Sequence, residues 1–114
     1  MPNVLLVAKT SDLRESLEFA LRAEGYDVTC RSSIGAAVER GTQPDCTVVD
    51  HHALGSDVAA TSRFFRDFAP VILLANEVQH PLSHLAHRTV LKPFLGAALS
   101  DAVREAIGLR TATT

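Results

Sequence analysis

Two cysteines, Cys30 and Cys46, are too few to staple a disulfide scaffold. Each falls in an apolar stretch that reads as a strand, so buried reduced thiols are expected. An excess of charge of one sign is missing too. Eleven basic against 13 acidic residues leave a net charge of −2, so no basic field exists to hold nucleic-acid phosphates. The longest apolar runs, such as Val71 to Ala75, are far too short to span a bilayer, so no membrane partner is expected. The opening Met-Pro-Asn-Val-Leu-Leu-Val has neither a basic leader nor a small-residue cleavage site, and a cytoplasmic location is expected. No glycine-rich phosphate-binding turn follows the first apolar run. Repeats, low-complexity stretches and linkers are absent as well.

What is present is globular composition in one domain's length. The 114 residues, 46% apolar and 21% charged, suffice for a core and argue against disorder. Short apolar runs alternate with helix-period segments. Val4-Leu5-Leu6-Val7 is too continuous for a half-exposed strand and reads as one covered on both faces. Ser11 or Asp12 is placed to cap the next helix, with Glu15 completing a capping box and Leu13, Leu17, Ala20 and Leu21 as its stripe. Gly25 stops that helix. A second strand is expected over Tyr26–Cys30, then a short helix capped by Ser33 and ended by Gly41. Cys46-Thr47-Val48-Val49 forms a third strand finishing at Asp50. A helix from Asp57 to Phe68 carries Phe64, Phe65 and Phe68, read as core.

Val71-Ile72-Leu73-Leu74 is the fourth strand, Pro81 to His87 a short helix, and Thr89-Val90-Leu91 the fifth strand. The last helix has Leu95, Leu99, Ala102, Val103 and Ala106 on one stripe. The domain is expected over residues 1–108, with 109–114 a disordered tail. Five strands alternating with five helices predict an α/β fold, a parallel sheet with helices on both faces and right-handed crossovers. In such sheets function sits at the carboxyl ends of the strands. That rule selects Ala8-Lys9, Asp50-His51-His52, Ala75-Asn76 and Lys92-Pro93.

From Val4 to about Ile107 the chain resembles the response-regulator receiver domains. The residues that carry the likeness are Asp50 at the third strand's end, Leu91-Lys92-Pro93-Phe94 at the fifth, Pro70-Val71-Ile72 and the Arg14 to Val28 segment. Together with the alternation, the resemblance implies a flavodoxin-like (βα)5 doubly wound sheet with strand order 2-1-3-4-5, a phosphoacceptor role for Asp50 and a phosphate-site lysine at Lys92. It also implies a histidine kinase or downstream effector as partner, met through the face of the fourth helix, fifth strand and fifth helix.

Several working positions depart from the pattern. Ala8 and Lys9 stand where receivers carry the acidic pair that holds Mg²⁺. Ala75 replaces the hydroxyl residue after the fourth strand, and Thr89 the aromatic switch. Ala53-Leu54 replaces a Met-Pro pair, and only sixteen residues separate Ala75 from Lys92.

Mg²⁺ prefers several oxygen ligands, carboxylates among them. Asp50 would be the only obvious carboxylate left, and Lys9 adds a like charge whose repulsion of a nearby cation is several kcal/mol at an effective dielectric of about 20. No cofactor is therefore expected, the Mg²⁺ site being lost. Lys9 either pairs with Asp50, flanked by Lys92 on the other side, or points into solvent. Asp50 is either a residual phosphoacceptor or a carboxylate that only orders its loop.

The histidines His80, His84 and His87, with His51 and His52, raise a metal site as a possibility that the sequence favours less than a solvated or partner-facing surface. The expected function is a stand-alone receiver-like signalling module of a two-component or phosphorelay system, not an enzyme. It would act through protein contacts, with phosphorylation at Asp50 weak or lost. A constitutively recognised face is expected, with His84 and His87 sensitising it to mild acid. The alternatives are a functional phosphoacceptor and a small flavodoxin-like enzyme or nucleotide binder.

Overall fold

A computed structural model describes residues 2–39, 43–76, 83–91 and 97–112. The apolar runs become the strands β1 (Asn3–Val7), β2 (Asp27–Arg31), β3 (Cys46–Asp50), β4 (Val71–Ala75) and β5 (Arg88–Leu91). They form one parallel sheet in the order β2-β1-β3-β4-β5, as the alternation and the resemblance together predict. Between them run α1 (Ser11–Ala23), α2 (Ile34–Glu39) and α3 (Val58–Asp67), and α4 (Ala97–Ala112) closes the chain.

Continuous apolar strands make sense because both faces of this sheet are covered. Val4, Leu6, Cys46, Val48, Ile72 and Leu74 pack toward Leu17 and Leu21 of α1 and Leu99, Ala102, Val103 and Ala106 of α4. The alternate residues Leu5, Val7, Val49, Val71 and Leu73 meet Ile34 and Ala37 of α2 and Phe64 and Phe65 of α3. Period two along each strand thus divides the core into two layers. The three phenylalanines are core, and Phe64 and Phe68 stack with centroids 4.7 Å apart.

Local signals explain most element ends. Ser33 Oγ accepts the Ala36 N–H and Asp57 Oδ1 the Ala60 N–H, each satisfying an orphan donor at a helix start. Gly25, at φ +95°, ends α1: its N–H reaches the Arg22 carbonyl and the Tyr26 N–H the Leu21 carbonyl. That pair of bonds is the Schellman arrangement, which needs a left-handed residue.

Four expectations are corrected. Thr10, not Ser11 or Asp12, is the N-cap of α1, and its side chain makes no capping bond. Ala20 is exposed, because the stripe narrows to Leu13, Leu17 and Leu21 on this side. In place of a helix up to His87, the described part of that segment is a 3₁₀ turn over Ser83–Leu85, with β5 starting at Arg88. The last helix continues past Gly108 to Ala112 where a tail was expected. Residues 81–82, 92–96 and 113–114, which include Lys92, Pro93 and Leu95, lie outside the described residues. No described helix is long and apolar enough to cross a membrane.

Candidate functional site

β1, β3 and β4 end side by side, and their register places Asp50 opposite Leu74, one residue before Ala75. Ala8 follows β1 with no exposed surface, and its N–H bonds the Arg31 carbonyl at 3.0 Å. Arg14 of α1 reaches back to this loop: its Nη1 donates to the Ala8 carbonyl at 2.9 Å and to that of Lys9 at 3.4 Å. Nothing in residue type or spacing signals this clamp. An arginine in a helix's first turns is usually solvated, and only the turn after β1 brings these carbonyls within its reach.

Lys9 itself is exposed and makes no ion pair among the described residues, so the expected pair with Asp50 does not form. A strongly hydrated ammonium on a flexible stem gains little from leaving water. His52 does meet Asp50. Asp50, only 1% exposed, accepts the His52 backbone N–H on Oδ2 at 3.1 Å, and His52 Nδ1 lies 3.3 Å from the same oxygen. The carboxylate thereby caps the 3₁₀ turn His51–Ala53 that leaves β3.

Lys9, Ser32, Ser33, His52, Ala53 and Gly55 line an open cleft of about 480 Å³ beside this turn. None of these lining residues is acidic. Ala75 is fully buried at the end of β4 and offers no hydroxyl, while Thr89 is half-buried in β5 opposite Leu73.

Neither thiol is a nucleophile at neutral pH. Burial pushes Cys46 up to about 12 and Cys30 to about 11, and both are free.

No family model matches the sequence. Solved structures align along nearly all of it. A response-regulator receiver domain from Clostridium thermocellum superposes with a TM-score of 0.81 over 100% of both chains at 19% identity. The receiver domain of a sensor histidine kinase from Pseudomonas aeruginosa PAO1, solved with a magnesium ion coordinated in its active-site cleft, gives 0.78 at 23% identity over 94% of this chain and 98% of its own. This is the receiver fold. Among curated proteins, the transcriptional regulator protein FixT of Rhizobium meliloti (strain 1021) is 27% identical over 105 residues, 91% of each chain.

Set against the receiver pattern, the rim of the sheet fits Mg²⁺ poorly. Where paired acids would supply oxygen ligands, a buried methyl and a solvated cation stand, and the Arg14 guanidinium adds a second positive group. Asp50 ends β3, the strand end at which the resemblance expects a phosphoacceptor. The histidines divide. His51 and His52 join Asp50, His84 is exposed on the 3₁₀ turn, and His87 Nε2 lies 2.9 Å from Glu105 Oε1 of α4. Arg88 Nη1 approaches the other oxygen of Glu105 at 3.6 Å, so this carboxylate ties the start of β5 to the last helix. Sequence spacing groups His84 with His87; in the structure His84 lies on the 3₁₀ turn and His87 pairs with Glu105.

Proposed function

We propose that this chain is a receiver-like signalling module of a two-component or phosphorelay pathway that works in the cytoplasm through protein contacts, without catalysis of its own and with phosphorylation at Asp50 weak or lost. The observation that carries the reading is the pairing of a receiver fold with a rim that holds Ala8 and Lys9 in place of acids. Transfer of a phosphoryl group needs its developing charge neutralised, and a divalent ion does most of that work in such chemistry. Asp50, already engaged by the His52 N–H, is by itself a poor platform for one.

The partner, a histidine kinase or an effector, meets the face formed by residues 83–91 and α4. Support comes from its construction. Glu105 binds both His87 and Arg88, which favours one fixed arrangement, and His84 and Leu91 are exposed in the 83–91 segment. Without a hydroxyl at 75 or an aromatic at 89, the parts that would move this face on phosphorylation are missing. Leu85 packs on the α3 side of the core, so it is not a clean surface probe.

Intact-mass measurement after exposure to a small phosphodonor with Mg²⁺ tests the first half: no phosphoryl increment is expected, and stoichiometric modification lost in Asp50→Asn overturns it. Capture of a kinase or effector tests the second. His84→Ala with Leu91→Ala should weaken it and Asp50→Ala should not; the opposite result returns Asp50 chemistry to the front.

A further inference from the structure

Asp50, His51 and His52 are consecutive in sequence, and in a continuing strand successive side chains would point to opposite faces. The 3₁₀ turn that begins at His51 gathers them instead. One ligand-capable atom from each residue lies within 4.8 Å of the other two. The imidazole rings sit with centroids 4.0 Å apart and planes tilted by 38°. Asp50 Oδ2 and His52 Nδ1 are 3.3 Å apart, longer than the about 2.7–2.9 Å of a charge-assisted hydrogen bond. It matches the about 3.3 Å edge of a tetrahedron whose metal–ligand bonds are about 2.0–2.1 Å.

We propose that Asp50, His51 and His52 form a binding site for a divalent late transition ion of the Zn²⁺ class. Two imidazole nitrogens and one carboxylate oxygen make a borderline donor set, which favours such an ion over the hard Mg²⁺. The three ligands run from buried Asp50 through half-buried His51 to exposed His52, so the ion is anchored on the sheet and open on the cleft side. His52 also lines the cleft of Lys9, Ser32, Ser33, Ala53 and Gly55, from which water can reach the remaining position. Lys9 opposes the ion's charge, but its exposure lets solvent screen that repulsion. The inference needs neither phosphate nor partner and stands apart from the signalling reading.

Calorimetry of the full, tag-free chain with Zn²⁺ tests it, with Co²⁺ as the visible-absorbing probe. One equivalent should bind with a Kd below about 10 µM, and Co²⁺ should give visible d–d bands that Zn²⁺ abolishes. His52→Ala, at an exposed position, and His51→Gln should each weaken Zn²⁺ by about tenfold or more with unchanged circular dichroism. Lys9→Glu should tighten it, and His84→Ala with His87→Ala should leave it as in the parent. A Kd above 10 µM, parent affinity in either ligand variant, or loss of binding in the His84/His87 variant overturns the site.

Discussion

The interior of the sheet and its carboxyl rim have been treated differently by the same sequence. Inside, β1 and β4 are apolar at nearly every position, and their residues split cleanly between two helical layers. At the rim, one step beyond those strands, the receiver positions at 8, 9 and 75 carry a methyl, a solvated lysine and another methyl. The fold depends on many interchangeable apolar contacts, each small. Phosphate chemistry depends on a handful of charged and polar atoms in fixed places, and those can change without disturbing the packing. Fold and chemistry can therefore separate.

That contrast can be broken by measurement, starting where the effect is largest. Phe64→Ala removes a ring that is 1% exposed and stacked on Phe68, and should cost about 3–5 kcal/mol in urea unfolding. A cost under 1 kcal/mol would mean that the α3 layer is not the anchor it looks to be.

Alkaline pH should act on the interior next. The Cys46 thiol titrates near 9.0 when exposed and is raised by burial to about 12 in the fold. Below pH 9 both states keep the proton and stability is full. Above it the unfolded chain ionises first, so stability falls steadily toward pH 12. Cys30 and Tyr26, also raised by burial, add to the same slope. Urea midpoints between pH 8 and 10.5 should fall in the parent and fall less in Cys46→Ala; identical slopes would remove the thiol from the account.

At the rim, effects should be smaller. The parent should show no saturable Mg²⁺ binding at millimolar levels, whereas Ala8→Asp with Lys9→Asp should gain it and be stabilised by about 1 kcal/mol in 10 mM Mg²⁺. Titration followed by chemical shifts checks both, and a site-specific millimolar affinity in the parent would refute the loss. Smallest of all, Asp50→Asn should change stability by about 1 kcal/mol or less, since the amide oxygen can still accept the His52 N–H. A loss comparable to that of Phe64→Ala would show the rim to be structural after all.

Which parts were legible follows from the range of the physics involved. Apolar runs and their punctuation act within a few residues, so the strands, the Ser33 and Asp57 caps and the Gly25 stop could be read directly. Arg14 on the Ala8 carbonyl, Glu105 between His87 and Arg88, and His52 at Asp50 in place of Lys9 are outcomes of rotamers and of loops brought together by folding. Residue type and spacing do not contain them. Asp50 can be placed at a strand end because strand ends in parallel sheets are predictable. Its companions were misjudged because a flexible lysine has many solvated alternatives and a histidine on a tight turn has few.

The two outermost strands have a consequence for how copies of this chain can meet. β2 carries Asp27 and Arg31 at its ends, β5 is only four residues long, and Arg88 stands exposed at its start. Backbone pairing with another sheet or an extended peptide would have to strip water from those charges. Sheet growth, the route to ribbons and filaments, is thus discouraged at both sides, and association is left to the helical surfaces and the loops above the strands.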